Sequence, residues 1–355
     1  MPAFLLLLAP SSNRVYAGLA PEITRAELEV LASADADGDG LVDVGTVQLA
    51  GVPYLRASFD RPPPSDLLGR LSAAHAAFEV VETRDGDLLR PVLLTRPELL
   101  DDDLLTIPKY PGKTNEQLTR TLLNLTLASA SVSGEAGRPT SVLDPMAGRG
   151  TTLSCALALG CDAVGVEIDR REVQAYATFL TTWLRRKKLK HQIDLHPLRR
   201  NGAHVADVLE AQLSPSREAY AAGKRQHLTL YAADTLATAD LLERRRVDVV
   251  VTDAPYGIHH GSRAGSARGG PRAAAARDRS PAELLEAALP VWGSVLRAGG
   301  AVGISWNTHG LLRADLAAMC VAAGLEVRDG GPWLRFAHRV DAGIHRDLLV
   351  AVKPR

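Results

Sequence analysis

The sequence predicts an α/β protein: a mostly parallel sheet covered on both faces by helices, preceded by a smaller N-terminal α/β unit. Three observations carry this reading. The chain has 355 residues, enough for about two domains. From about residue 106, short apolar runs alternate with helical patterns, as in successive βα units. Two of those runs lead into an acid followed by a tight turn, at Asp144 and Asp253.

Composition narrows the class. Hydrophobic residues make up 46% and charged residues 23%, which excludes a mainly disordered or collagen-like chain. No apolar run approaches the roughly 18 residues of a membrane span. The run Phe4 to Ala9 lacks a basic flank, so it reads as a buried strand and not a signal peptide. Cys155, Cys161 and Cys320 form no CxxC pair; they fit a reduced cytoplasm and speak against a zinc site. Acidic and basic residues balance at 41 each, so net charge does not announce a nucleic-acid partner.

Within residues 1–105, Phe4 to Ala9 is a strand and Pro21 opens a helix running through Leu31. Val42 to Leu49 is a strand. Apolar residues at helical spacing predict a helix over Ser65 to Phe78, and Val92 to Leu94 is a further strand. Within residues 106–355 the expected helices are Glu116 to Ala130, Thr151 to Leu159, Arg170 to Leu184, Pro281 to Leu296 and Leu311 to Ala323. The expected strands are Ser141 to Asp144, Ala163 to Glu167, Leu228 to Ala232, Val247 to Thr252, Gly300 to Trp306 and Leu348 to Val352. Two stretches interrupt the alternation: an insertion at 187–227 with a helix expected over Ala203 to Leu213, and a Gly-, Ala- and Arg-rich loop at 258–280 read as mobile.

The chemistry concentrates at strand ends. In Leu143-Asp144-Pro145-Met146-Ala147-Gly148-Arg149-Gly150-Thr151-Thr152 a strand passes through a Gly-containing turn into a helix. Glycine lets the backbone approach a ligand, and the helix start offers free N–H groups. The segment is neither a Walker A loop nor a GxGxxG fingerprint. Glu167, at the next strand end and followed by Ile168, lies about 20 residues on, where an acid can take both hydroxyls of a ribose. Asp169 fits the N-cap of the following helix. Asp234 follows the third strand and can accept from an adenine amino group.

Thr252-Asp253-Ala254-Pro255-Tyr256-Gly257 is the sharpest signal. Transfer to an exocyclic base amine must reorient a lone pair delocalised into the ring. The Asp253 carboxylate and the Ala254 carbonyl are two acceptors suited to that, and Tyr256 can stack on a flipped-out base.

On these motifs, residues 106–355 resemble a class I S-adenosylmethionine-dependent amino-methyltransferase, with a Rossmann-like sheet. DPMAGRGT, VGVEID, AAD and DAPYG stand in that superfamily's order, with Ala254 where the pattern has Pro. The resemblance implies S-adenosylmethionine as cofactor, with Asp144, Met146, Gly148, Gly150, Thr151, Glu167, Ile168 and Asp234 around it. It implies that Lys109 to Glu116 closes over the methionine end, with Thr114 and Asn115 as contacts. It makes Asp253, Ala254, Pro255 and Tyr256 the catalytic set.

TDAPYGIHHGSRAGSARGG and LRFAHRVDAGIHRDLLVAV further resemble the THUMP-associated group that methylates guanine N2 in tRNA, and the N-terminal half resembles a truncated form of that group's own. The implied partners are tRNA or another structured RNA and a small activating protein, with no membrane. DNA amino-methyltransferases share the motif order. They carry a target-recognition domain after the core, whereas 98 residues follow Gly257 here, needed for the remaining strands. A DNA adenine-N6 or cytosine-N4 enzyme and a non-catalytic cofactor-binding scaffold remain alternatives.

Basic residues from Arg185 to Lys190, with Arg199, Arg200 and the loop arginines Arg263, Arg268, Arg272, Arg277 and Arg279, are candidate phosphate contacts. Asp35 to Asp43 imitates a calcium loop, but Thr46 stands where the bidentate acid belongs, so a helix-to-strand turn is the expectation. His259 and His260 make no metal set.

Overall fold

The computed structural model describes residues 1–11, 14–34, 40–83, 86–110, 112–132, 138–243, 246–255 and 280–355. Residues 35–39 of the calcium-like loop, Tyr256, His259, His260 and the arginines of the 258–280 loop lie outside them. Contacts divide the chain into two units, Met1–Pro97 with Asp329–Arg346, and Glu98–Arg328 with Asp347–Arg355. The division falls eight residues before the expected 105/106 boundary, and it returns a late segment to the first unit.

The first unit contains β1 (Ala3–Leu8), α1 (Arg14–Ala34), β2 (Leu41–Leu49), β3 (Val52–Phe59), α2 (Leu67–Arg70), β4 (Ala74–Thr83) and β5 (Gly86–Val92). Its sheet runs β2-β3-β1-β4-β5, antiparallel throughout. β1 is central, so Phe4, Leu5 and Leu6 are all buried, whereas β3 buries alternate residues Leu55, Ala57 and Phe59. Two expectations are corrected here. α1 starts before Pro21, because Tyr16 and Ala20 continue the buried stripe of Ile23. That burial outweighs the hydrogen bond a mid-helix proline removes. The helix expected over Ser65 to Phe78 stops after one turn, and β4 follows, its backbone paired on both edges with β1 and β5. The late segment is held by Arg335, whose guanidinium pairs with Glu29 of α1, and buries Phe336 and His338.

The second unit opens with α3 (Asp103–Thr106) and α4 (Glu116–Ser129). There follow β6 (Ser141–Asp144), α5 (Thr151–Ala158), β7 (Asp162–Glu167), α6 (Arg170–Arg186), β8 (His191–Arg200), β9 (Ala203–Leu213) and α7 (Arg217–Ala221). Next come β10 (Gln226–Ala232), α8 (Thr238–Leu242), β11 (Val247–Asp253), the helix Pro281–Val295, β12 (Leu296–Asn307) and the helix Arg313–Ala322. β13 (Glu326–Arg328) and β15 (His345–Val352) follow, with β14 (His338–Arg339) between them in the segment that belongs to the first unit. The large sheet runs β13-β15-β12-β11-β6-β7-β10-β9-β8, with β14 on β15.

β10, β7, β6, β11 and β12 are parallel neighbours. Being covered on both faces, they read as continuous apolar runs: Val142, Leu143, Val164, Val166, Val249, Val250 and Val251 are all buried. This is the expected Rossmann-like α/β sheet with an additional smaller domain. Strand order reverses between β6 and β11, and ligands of open α/β sheets bind beyond the carboxyl ends of strands at such a point. The helix expected over Ala203 to Leu213 is instead strand β9. It pairs antiparallel with β8 and β10, so the 187–227 insertion widens the sheet by a hairpin. Its two-residue turn is Asn201-Gly202, with φ of 49° and 80°, as a type I′ turn requires.

Candidate active site

The β6–α5 turn is built on Asp144. Its carboxylate is 3% exposed and accepts from the Met146 N–H at 3.1 Å and the Thr252 hydroxyl at 2.8 Å. Burial pushes its pKa up to about 6, against the pull of those donors and of Thr152; the Asp253 charge adds to the rise. The turn closes by Ala147 N–H to the Val166 carbonyl and Gly150 N–H to the Ala147 carbonyl. Gly148 and Gly150 have φ of 51° and 73°, which side chains resist. At Gly150 a Cβ would also lie 2.7 Å from the Tyr176 ring; at Gly148 it would meet nothing within 4 Å. Thr151, the first residue of α5, shares a 2.9 Å hydrogen bond with the Tyr110 hydroxyl.

Glu167 ends β7. One carboxylate oxygen accepts from the Gly148 N–H and the other from the Asp169 N–H, each at 2.7 Å. Burial raises its pKa, and these two N–H groups counter the rise. The acid and the glycine turn are thus locked together across 19 residues. Ile168 is half-buried beside it, and Asp169 caps α6 as expected, accepting from the Arg171 N–H at 2.9 Å. Asp234, past the end of β10, caps a short 3-10 turn through the Leu236 N–H at 3.0 Å.

Asp253 is the last residue of β11, in register with Ser305 of β12. Ala254 is buried and donates its N–H to the Ser305 carbonyl at 2.8 Å, which anchors the backbone just past β11; Pro255 is exposed. Thr114 does not face the cofactor turn by its hydroxyl: it donates to the Asp253 carboxylate. Asn115 caps α4, accepting from the Leu118 N–H at 3.0 Å. The structure therefore gathers Asp144, Gly148, Glu167, Asp234 and Asp253 at the carboxyl ends of four adjacent parallel strands.

Sequence reasoning missed Thr252, which anchors Asp144, and Tyr110, whose ring lies 4.8 Å from the Arg149 guanidinium while Arg149 pairs with Glu172. It also missed Ser305, whose buried hydroxyl has no hydrogen-bond partner among the described residues. Tyr110 lies within the quoted Lys109 to Glu116 motif, the one available signal; Ser305 had none. A cavity of about 680 Å³ lined by Arg138, Asp162, His227 and Arg246 lies at the opposite, amino-terminal strand ends. Among the described residues, no group of three His, Cys, Asp or Glu is placed to hold a metal ion. No described helix is long and apolar enough to cross a membrane.

Residues 110–267 match the family described as RMKL-like, methyltransferase domain. The match covers the glycine turn, Glu167, Asp234 and Asp253. It supports a class I S-adenosylmethionine-dependent methyltransferase with S-adenosylmethionine as its cofactor. No curated protein matches the sequence. Among solved structures, the chain is similar to TrmN from Thermus thermophilus at 13% identity and TM-score 0.44, over 99% of this chain and 100% of that one. It is similar to a methyltransferase from Pyrococcus furiosus at 13% identity and TM-score 0.37, over 71% and 90%. Magnesium protoporphyrin IX methyltransferase from Synechocystis, a structure with bound SAM, shares 14% identity and TM-score 0.36, over 67% and 79%.

The residues fit this cofactor. Gly148 faces open space that a Cβ would fill. Each Glu167 oxygen takes one backbone N–H, leaving acceptor capacity for a ribose diol.

Proposed function

We propose that the chain transfers a methyl group to an exocyclic base amine, with guanine N2 of tRNA as acceptor. The carrying observation is Asp253 at the end of β11, next to the switch point and beside the Asp144 turn. When bound, S-adenosylmethionine supplies a methyl group to an attacking nitrogen and departs as a neutral thioether. Glu167 binds ribose hydroxyls, Asp234 the adenine amino group, and Asp144, Met146, Gly148, Gly150 and Thr151 shape the methionine end. Asp253 and the Ala254 carbonyl accept from the two amine N–H groups, turning the nitrogen lone pair out of the ring plane. Asp253 then takes the proton that the methylated amine releases. Tyr256 stacks on the base. Catalysis is mainly positioning, since the reacting amine needs orientation more than strong base.

RNA is favoured over DNA as acceptor by the resemblance of TDAPYGIHHGSRAGSARGG and LRFAHRVDAGIHRDLLVAV to the THUMP-associated group. A small activating protein belongs to the same proposal, as does action in the cytoplasm. The test is methyl transfer from labelled S-adenosylmethionine to total tRNA, with genomic DNA in parallel, followed by nucleoside analysis. N2-methylguanosine in tRNA is the expected product. Label in DNA alone overturns the RNA reading, and tight cofactor binding without label in either overturns the enzymatic one.

A further inference from the structure

We propose that Thr114 is a positioning residue for Asp253, and that its segment ties the catalytic carboxylate to the cofactor turn. The inference rests on Asp253 being the acceptor of the amine. Thr114 immediately precedes Asn115, which caps α4 by accepting from the Leu118 N–H at 3.0 Å. The Thr114 backbone is therefore set by a helix start, not by a free loop. From there its hydroxyl reaches across 139 residues of sequence to donate to Asp253 Oδ2. Four residues earlier, Tyr110 holds the Thr151 hydroxyl at the start of α5. The Lys113 N–H closes a turn onto the Tyr110 carbonyl at 3.2 Å, so the two contacts belong to one short, internally bonded segment.

A carboxylate on a single bond rotates, and both of its oxygens are equivalent acceptors. One hydroxyl donated to Oδ2 selects one rotation, which directs the carboxylate toward the amine in a defined plane. Thr252 does the same for Asp144 on the neighbouring strand, donating at 2.8 Å. Asp144 is held by threonine hydroxyls, Thr252 and Thr152, and Asp253 receives that of Thr114. Loss of the Thr114 hydroxyl leaves the cofactor pocket intact and the attacking geometry loose.

The test compares Thr114→Val with Thr114→Ser in the full chain. The Val variant should lose about tenfold or more in kcat for methyl transfer to total tRNA, while KM for tRNA and Kd for S-adenosylmethionine stay within about threefold. The Ser variant should recover activity to within about threefold, since it restores the donor. Thermal unfolding of Thr114→Val, Asp253→Ala and the double variant should be non-additive, as bonded neighbours are. Weakened cofactor binding in Thr114→Val with kcat retained makes Thr114 a cofactor ligand and overturns the proposal; so does full additivity in unfolding. Should the wild type methylate no tRNA, the proposed function falls while the unfolding cycle still decides the Thr114–Asp253 link.

Discussion

Asp253 and Asp144 stand on adjacent strands, and their surroundings assign them different work. Asp144 is fully enclosed by donors, whereas Asp253 is half-buried at its strand end. Asp253→Ala should abolish methyl transfer while leaving S-adenosylmethionine affinity within about 1 kcal/mol by calorimetry. Asp144 carries a pH signature. Its pKa is raised to about 6 in the folded state against 3.8, so the folded protein binds more protons between those values. Stability contributed by this site is therefore greatest at low pH and falls as pH rises through about 4 to 6. Asp144→Asn keeps acceptors for Thr252 and Met146 without the buried charge. The melting temperature of the variant relative to wild type should be more favourable at about pH 7.5 than at about pH 4.5. The acids at 144, 167 and 253 were legible because each ends an apolar run. The Thr114 partner was not, since nothing local in a sequence marks a contact 139 residues away.

Elements explain which glycines matter. Gly150 combines a positive φ with the Tyr176 ring 2.7 Å from any Cβ, so Gly150→Ala must displace the ring that packs under α5. It should cost about 2 kcal/mol or more in denaturant unfolding. Gly148→Ala meets no atom within 4 Å and incurs only the backbone cost of about 1 kcal/mol, yet it should weaken S-adenosylmethionine binding in calorimetry by filling the cradle. The parallel strands were readable because burial on both faces leaves unbroken apolar runs. β9 was not: Val205, Ala206, Val208, Leu209, Ala211 and Leu213 satisfy helical and extended periods alike, and the Asn201-Gly202 pair is the local signal that decides for a hairpin. The same ambiguity hid β4, where Leu67, Leu68, Leu71 and Ala74 straddle a one-turn helix and the start of a strand.

On the scale of the large sheet, a charge cluster around the buried Asp248 ties the amino-terminal ends of the central strands. Asp248 at the start of β11 receives both 2.8 Å bonds of the Arg138 guanidinium, the Ser141 N–H at 2.7 Å, and Arg297 at 3.2 Å. Asp248→Ala leaves the Ser141 N–H without its acceptor and Arg138 without its carboxylate, and denaturant unfolding should register a loss of about 1–3 kcal/mol. The change in texture near residue 106 is the sequence sign of a division, and the contacts divide the chain at 97/98. The return of Asp329–Arg346 to the first unit was not legible, because a segment without strong periodicity gives no sign of which core it joins. That return has a consequence for how the protein is made. The chain passes between units at 97/98, 328/329 and 346/347, so the first unit to leave the ribosome waits for a piece made more than two hundred residues later. β15, an interior strand of the large sheet, follows that piece and is later still. Neither core closes until its late segment has been made. The usual order, with the N-terminal domain finished first, gives way to a joint, late assembly of both halves.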